Sequence, residues 1–170
     1  ATHAVADSAE AARSGGREFV DGTRGPITTW DEFERYPWPS PDTFDTRTLE
    51  WYSEHVPDDM CLVVRGIGHF AEHLSWLMGF ETLCMALLVD RELVAAIADR
   101  LLQQNIAALH RVLQLPRVKA VWASDDMGFR GGTMVSPDDL REFALRGHRE
   151  LARITHEHGA EAVVAGLEMV

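Results

Sequence analysis

Residues 118–128 read VKAVWASDDMG, and this stretch decides the fold class that we predict. Its first half is a short and mainly apolar run, which is typical of a strand in a parallel sheet. Ser124, Asp125 and Asp126 follow that run directly. In parallel α/β folds the residues after a strand lie at the carboxyl edge of the sheet, where ligands bind. The stretch therefore predicts a strand that ends in a functional loop.

Two further apolar runs lie before and after this one. They predict strands at 61–64, where the run is apolar on both faces and therefore suits a buried strand, and at 162–165. Helical periods fill the intervals, with Asp90 and Ser136 as N-caps and Gly159 as a helix end. Strands that alternate with helices imply parallel crossovers. The sequence therefore predicts an α/β fold with a parallel sheet.

The N-terminal quarter of the chain differs from this pattern. Residues 1–24 are rich in Ala, Ser and Gly and lack a hydrophobic period, so we predict a loose arm. Residues 25–46 are rich in proline, which removes backbone donors and disfavours helix. We expect an irregular wrap there, with a short helix at 29–35 and aromatic side chains packed against the body. The chain then divides into the arm, 1–24, and one domain, 25–170.

Composition limits the classes of partner. The chain has 170 residues, of which 46% are hydrophobic, and this suggests one domain with a real core. Its net charge is -11, so its surface repels nucleic-acid phosphates and anionic membranes. An anionic small molecule is still an expected partner, because a local arginine cluster can outweigh the global field. The glycines after Asp126 have neither dinucleotide nor Walker spacing, and we expect no cofactor.

The two cysteines, Cys61 and Cys84, form no metal-binding pattern. We expect both to be buried, reduced thiols, which is the usual state of free cysteine in the cytoplasm. The sequence also has no apolar run of the roughly 18 residues that a membrane span needs. These features together predict a cytoplasmic protein.

Asp125 and Asp126 are the strongest candidates for a catalytic role. Adjacent carboxylates can act as a base, accept hydrogen bonds from a substrate or hold a cation. Neighbouring side chains alternate in direction along an extended chain, so we expect one of the two to point into the site. The alternative is a solvated turn, because aspartate and glycine are common in turns.

Arg65 and His69 follow the first predicted strand and are expected at the same edge of the sheet. Arg65 can bind a carboxylate through two hydrogen bonds, and the alternative is a salt bridge to a neighbouring acid. His69 and His73 have a spacing that can place two metal ligands on one helix face, but their order differs from the metalloprotease motif. We therefore predict no metal site. Arg130, in the glycine-rich loop, either contacts an anionic substrate or solvates the loop.

Four segments between residues 25 and 159 together resemble the uroporphyrinogen decarboxylase superfamily. No single motif decides this resemblance, and its specificity comes from the order and spacing of the four. The segments are 36–39 (YPWP), 77–81 (LMGFE), 124–128 (SDDMG), and 134–143 (MVSPDDLREF) with its tail 156–159 (HEHG).

The resemblance implies part of a parallel (β/α)8 TIM-type barrel, with the active site at the carboxyl ends of the strands. It also implies a decarboxylase-like enzyme that acts on an anionic, tetrapyrrole-like substrate without a cofactor. Asp125 and Asp126 are then the catalytic residues, since a carboxylate there can accept hydrogen bonds from pyrrole N–H groups. The implied substrate-binding residues are Arg65, His69, Trp76, Ser124 and Arg130.

The chain departs from both known chemistries of this family. It lacks the N-terminal arginine pair and the early aspartate of true decarboxylases. Trp76 stands where those enzymes carry a tyrosine, and Asp125 stands where they carry a serine. It also lacks the His-x-Cys pair of the zinc-dependent methyltransferases that work with corrinoid proteins and thiols, because residues 161–166 read EAVVAG. A methyltransferase-like enzyme of that kind is the alternative function.

The number of predicted strands is small for a barrel. A full barrel takes about 250 residues in eight βα units, whereas the sequence predicts three strands after residue 60. A three-stranded sheet leaves apolar edges unpaired. We therefore expect about three βα units, completed by further chain, by another copy in a homo-oligomer, or by a partner chain. A non-catalytic partial-barrel interaction module is the remaining alternative.

Overall fold

The structure is a computed structural model that describes residues 22–40 and 43–165. Most of the predicted arm, residues 1–21, lies outside the described residues. In chain order the elements are α1 (Trp30–Arg35), α2 (Arg47–His55), β1 (Leu62–Arg65), α3 (Phe70–Met78), α4 (Phe80–Val89), α5 (Arg91–Val112), β2 (Val118–Ser124), β3 (Gly128–Phe129), β4 (Gly132–Thr133), α6 (Pro137–Leu140), a π-helical turn (Arg141–Leu145), α7 (Arg146–Glu157) and β5 (Glu161–Ala165).

The predicted α/β fold with a parallel sheet is confirmed. The main sheet has the strand order β1-β2-β5, and both strand pairs are parallel. Helices α3 to α5 connect β1 to β2, whereas α6, the π-helical turn and α7 connect β2 to β5. The strands β3 and β4 form a separate short antiparallel hairpin directly after β2. The described residues form three parallel strands and no closed barrel.

The main sheet is covered on one face only within the described part of the chain. Val64, Val121 and Ala123 are buried on the face that packs against the helices. On the opposite face Val63 is 50% exposed and Val163 is 46% exposed. The prediction that residues 61–64 are buried on both faces is therefore wrong, because no described element lies over this second face. We call it the open face.

The burial predicted for the two cysteines is also wrong. Cys61 is exposed, since it precedes β1 and does not form part of the strand, and Cys84 is half-buried on α4. Both are free thiols.

The helix ends follow local sequence signals. The Asp90 side chain accepts a hydrogen bond from the backbone N–H of Leu93 at 3.2 Å and caps α5. Ser136 caps α6 in the same way, through the N–H of Asp139 at 3.1 Å, and Pro137 takes the first helical position. These caps satisfy donors that a helix N-terminus otherwise leaves free.

The proline-rich wrap contains the predicted short helix, α1. Phe33, Tyr36 and Trp38 are partly buried and pack against the core, as expected from their large apolar area. The Trp38 indole also donates a hydrogen bond to the Phe33 carbonyl at 3.1 Å. Trp30 does not follow the prediction, because its side chain is 42% exposed at the start of α1.

The start of the wrap is fastened to the junction between α3 and α4. The backbone N–H groups of Gly25 and Ile27 donate to the carbonyls of Met78 and Leu77, each at 2.8 Å. Ile27 is fully buried. The wrap is thus tied to the body by backbone hydrogen bonds as well as by apolar contact.

Among residues 22–40 and 43–165, none of the helices combines the length and the apolar character that crossing a membrane requires.

Gly79 separates α3 from α4, and its geometry excludes a side chain. Its φ is +78°, and a Cβ there would lie 2.6 Å from the backbone of Arg24. We expect Gly79→Ala to lower the free energy of unfolding by about 2–4 kcal/mol, because backbone strain and steric overlap add. Gly159→Ala is the matched control, with φ of +72° but open space around it, and should cost about 1–2 kcal/mol. Urea denaturation measures the free energy of unfolding of both variants. Equal losses would show that steric overlap with Arg24 does not contribute at Gly79.

Candidate functional site

The carboxyl ends of β1 and β2 lie side by side. Arg65, the last residue of β1, is in register with Trp122 of β2, and Ser124 ends β2 beside Ala165. Because the strands are parallel, the loops that follow them emerge at one edge of the sheet. The sequence-predicted residues after β1 and β2 are thus at this carboxyl edge.

Asp125 is the best-anchored residue of this edge. Its side chain is fully buried, with 0% exposure. Its Oδ2 accepts the backbone N–H of Ala71 at 2.8 Å and its Oδ1 accepts that of Glu72 at 3.0 Å. These N–H groups belong to the first turn of α3, so Asp125 caps a helix that is remote in sequence. A carboxylate at a helix N-terminus is stabilised by free donors and by the helix dipole.

The third partner of Asp125 is His148 of α7. The His148 Nε2 lies 3.0 Å from the Asp125 Oδ2, and the histidine side chain is 3% exposed. We assign the proton to Nε2, because a carboxylate accepts hydrogen bonds and does not donate them. The Phe70 ring meets the imidazole edge-on, with centroids 5.1 Å apart. One carboxylate therefore joins β2, α3 and α7.

His148 was missed by the sequence analysis. It lies on the same helical face as Leu140, Leu151 and Ile154, whose apolar period predicts the buried side of this region. A histidine within such a period must find a buried partner, because an unpaired polar group in the core is costly. That requirement was the available signal. The identity of the partner was not readable from the sequence.

Asn105 is a second polar residue that was missed. Its side-chain oxygen accepts the backbone N–H of Gly68 at 2.8 Å, and its amide donates to the Leu101 carbonyl at 2.8 Å. Gly68 has φ of +95° and lies against Ala123 and Leu151. The buried Asn105 side chain therefore holds the loop between β1 and α3 in place through the backbone of Gly68. An asparagine inside the apolar period of α5 was the sequence signal.

His69, the N-cap residue of α3, forms a row with His73 and Trp76 of that helix. The His69 Nδ1 lies 2.6 Å from the Glu72 carboxylate. The ring centroids of His69 and His73 are 5.7 Å apart, and those of His73 and Trp76 are 5.2 Å apart. Burial lowers the pKa of His73, and the neighbouring His69 lowers it further. His73 is thus held neutral near pH 7, and Trp76 is 45% exposed at the end of the row.

The remaining predicted residues have different surroundings. Asp126 is exposed, beside the fully buried Asp125. Ser124 is half-buried on the open face. Arg130 is exposed in the turn of the β3–β4 hairpin. The structure therefore gathers Arg65, Ser124 and Asp126 around the ends of β1 and β2, and places Arg130 on the neighbouring hairpin.

A separate apolar pocket lies between α3, α4 and the π-helical turn. Most of its wall is aliphatic or aromatic, and Ser75 and Asp139 contribute its polar groups. Both are already engaged, because Ser75 donates to the Glu72 carbonyl and Asp139 pairs with Arg91. The pocket has no free polar group that would hold a charged ligand, and we do not include it in the candidate site.

Within the residues that the structure describes, no three His, Cys, Asp or Glu side chains are grouped so that they could hold a metal ion. His69 and His73 are close together at the start of α3, but no third ligand from the described part of the chain joins them.

Comparison with known proteins adds nothing to this geometry. No protein-family model, no curated protein and no solved structure matches the chain. The resemblance to the uroporphyrinogen decarboxylase superfamily therefore stays a prediction, and so do the site roles that it implies.

The two adjacent aspartates should differ sharply in their effect on stability. We expect Asp125→Ala to lower the free energy of unfolding by about 3 kcal/mol, because it leaves His148 and two N–H groups without their buried acceptor. Asp126→Ala is the matched control and should change it by less than about 0.5 kcal/mol, because Asp126 is exposed. Equal losses in urea denaturation would show that Asp125 does not anchor this edge.

Proposed function

We propose that the protein binds an anionic small molecule at the carboxyl edge of its sheet and releases one of its carboxyl groups as carbon dioxide. This is the uroporphyrinogen decarboxylase-like reaction that the sequence resemblance implies, with a tetrapyrrole-like substrate. We place the activity in an assembled protein, where further chain or another subunit completes a barrel. The proposal rests on the site residues and on the parallel sheet that carries them.

The observation that supports this proposal most directly is the exposure of Arg65 and its lack of an ion-pair partner among the described residues. The residue is exposed at the end of β1. The ion pairs within the described ranges all involve other cations, so the salt bridge considered for Arg65 is not formed there. A guanidinium group without a carboxylate partner can bind a substrate carboxylate through two parallel hydrogen bonds. Ser124, on the same face, adds a hydroxyl donor.

Asp126 is the better candidate for the chemistry of the two aspartates. Both Asp125 oxygens already accept hydrogen bonds, so that side chain has no exposed surface to offer a substrate. Asp126 is exposed and is held in place by its anchored neighbour. We assign Asp126 to accept hydrogen bonds from the pyrrole N–H groups, and Asp125 to position it.

The atoms of the proposed reaction balance without a cofactor. The bond between the carboxyl carbon and its neighbouring carbon breaks, and carbon dioxide leaves. The electron pair of that bond passes into the pyrrole ring, which has first taken up a proton and carries positive charge. The neighbouring carbon then takes up a proton in place of the carboxyl group, and the ring releases the proton that it had gained. A carboxylate near the pyrrole N–H groups favours the positive charge that the ring must carry while it accepts electrons.

The methyltransferase-like alternative has less support. Its zinc site would need a His-x-Cys pair on the strand after Gly159. That strand is β5, which reads EAVVA and offers neither ligand. The residues at this position therefore favour cofactor-free decarboxylation over methyl transfer.

Release of carbon dioxide from uroporphyrinogen tests the proposed reaction. We expect Asp126→Asn to lower kcat by about 100-fold, a typical loss for a carboxylate that assists a reaction. Arg65→Ala should mainly raise KM, because it removes a contact to the bound carboxylate. Arg149→Ala is the control, since Arg149 is exposed on α7, and it should behave as the unmodified protein. Absence of turnover, or an Asp126→Asn variant with full activity, would contradict the proposal.

A second candidate function is a partial-barrel module that assembles with another copy of itself. Two observations favour it. Among the described residues, β1 and β5 each have one neighbouring strand, so the outer edge of each is unpaired. The open face also exposes apolar side chains beside those edges, including Val63 and Val163. Unpaired edges with apolar side chains are templates for adding strands from another chain.

Molar mass in solution tests this second candidate. We expect light scattering after size exclusion to give twice the 19.0 kDa of one chain or a larger multiple. Val163→Lys should favour the monomer, because a charged residue on an edge strand opposes strand pairing. Val89→Lys is the matched control, since Val89 is 77% exposed at the end of α4, far from the strands in sequence. A stable monomer of the unmodified chain would rule out self-assembly.

A further inference from the structure

Trp122 occupies an unusual position in the middle of the sheet. It lies on the central strand, yet its side chain is 42% exposed on the open face. Its chain neighbours Val121 and Ala123 point to the opposite face and are 2% and 3% exposed. A large aromatic surface in the centre of an uncovered apolar patch is typical of a binding surface.

The two residues that flank Trp122 on the open face differ in chemistry. Across β1 it is in register with Arg65, and across β5 it is in register with Val163. The guanidinium carbon of Arg65 lies 5.7 Å from the centroid of the Trp122 ring. The guanidinium therefore lies over one face of the indole, in a cation–π contact, and an aliphatic side chain stands on the opposite side.

We infer that Trp122 selects planar aromatic carboxylates for this site. The ligand ring packs on the part of the Trp122 indole that Arg65 leaves exposed, and its carboxylate binds the Arg65 guanidinium, which lies over the same side chain. Ser124, two residues further along the same strand and on the same face, lies toward the carboxyl edge, where its hydroxyl can donate to a second carboxylate. The inference rests on the proposed anion-binding role of Arg65 and adds the shape and aromatic character of the ligand.

Charge and geometry together favour this ligand class over the alternatives. An aliphatic carboxylate would contact Arg65 alone and leave the indole exposed to water. An aromatic cation would be attracted by the indole but repelled by Arg65, which lies over the indole ring. A neutral aromatic molecule would leave the guanidinium without a partner. Only an aromatic anion uses both groups at once.

Two probes of equal charge separate the contribution of the aromatic ring from that of the carboxylates. These are benzene-1,3,5-tricarboxylate, which is planar and aromatic, and propane-1,2,3-tricarboxylate, which is aliphatic. We expect the unmodified chain to bind the aromatic probe about 3- to 10-fold more tightly, as measured by isothermal titration calorimetry, since aromatic pairs gain affinity beyond buried area.

Four variants assign this preference to residues. Trp122→Leu keeps an apolar side chain and should bring the ratio of the two dissociation constants close to one. Trp122→Phe keeps an aromatic ring and should retain most of the preference. Trp51→Leu is the control, since Trp51 is 55% exposed on α2, and it should leave both affinities unchanged. Arg65→Ala should weaken both probes by a similar factor.

The outcomes distinguish the inference from the function on which it rests. If both probes bind equally well to the unmodified chain and Arg65→Ala weakens both, the anion site stands and selection by Trp122 is wrong. If Trp122→Leu retains the preference of the unmodified chain, selection by Trp122 is also wrong. If neither probe binds, or Arg65→Ala has no effect on either, both the anion site and the inference fail.

Discussion

One buried carboxylate determines how the functional edge of this protein is built. Asp125 follows the central strand and accepts hydrogen bonds from the first turn of α3 and from His148 of α7. Removing a charge from water is costly, and several well-placed donors are needed to offset that cost. Those donors come from two helices, α3 and α7, so the desolvation cost of the carboxylate that follows the strand is offset only when the strand and both helices are assembled. The edge therefore forms as a unit.

This arrangement separates the tasks of two adjacent aspartates. An extended chain turns neighbouring side chains to opposite sides, and here one side is the core and the other is solvent. Asp125 is fixed in the core, and Asp126 is consequently presented at the surface with a well-defined backbone. A reactive group that rests on a rigid neighbour loses little freedom when it meets a ligand, which is the structural basis of preorganisation. The sequence analysis expected one of the two to point into the site without deciding which, and burial distinguishes them.

Local signals explain which features could be predicted from the sequence. The caps Asp90 and Ser136 act within one turn of their own helices, and the strands follow from short apolar runs, so their positions were readable. The contacts of Asp125 span 53 and 54 residues to α3, and no periodicity encodes them. The exposure of Val63 was likewise unreadable, because an apolar residue on a strand has the same pattern whether or not another layer covers it. Residue type and spacing predicted the elements, and tertiary packing decided which residues are accessible.

The open face connects the two proposed functions physically. Its apolar residues resemble those of the covered face, since valine occurs on both sides of β1, yet the helices shield one side only. A ligand ring placed on Trp122 would cover the centre of this face but not the outer edges of β1 and β5, which have no neighbouring strand among the described residues. Strands from a second copy would pair with those edges, and their side chains would also surround the Trp122 indole. Lower access of water at Arg65 would then strengthen its interaction with a carboxylate, because charge pairs are less screened in a less polar environment. Assembly would therefore increase affinity at the same site, so the ligand and the second copy should stabilise one another.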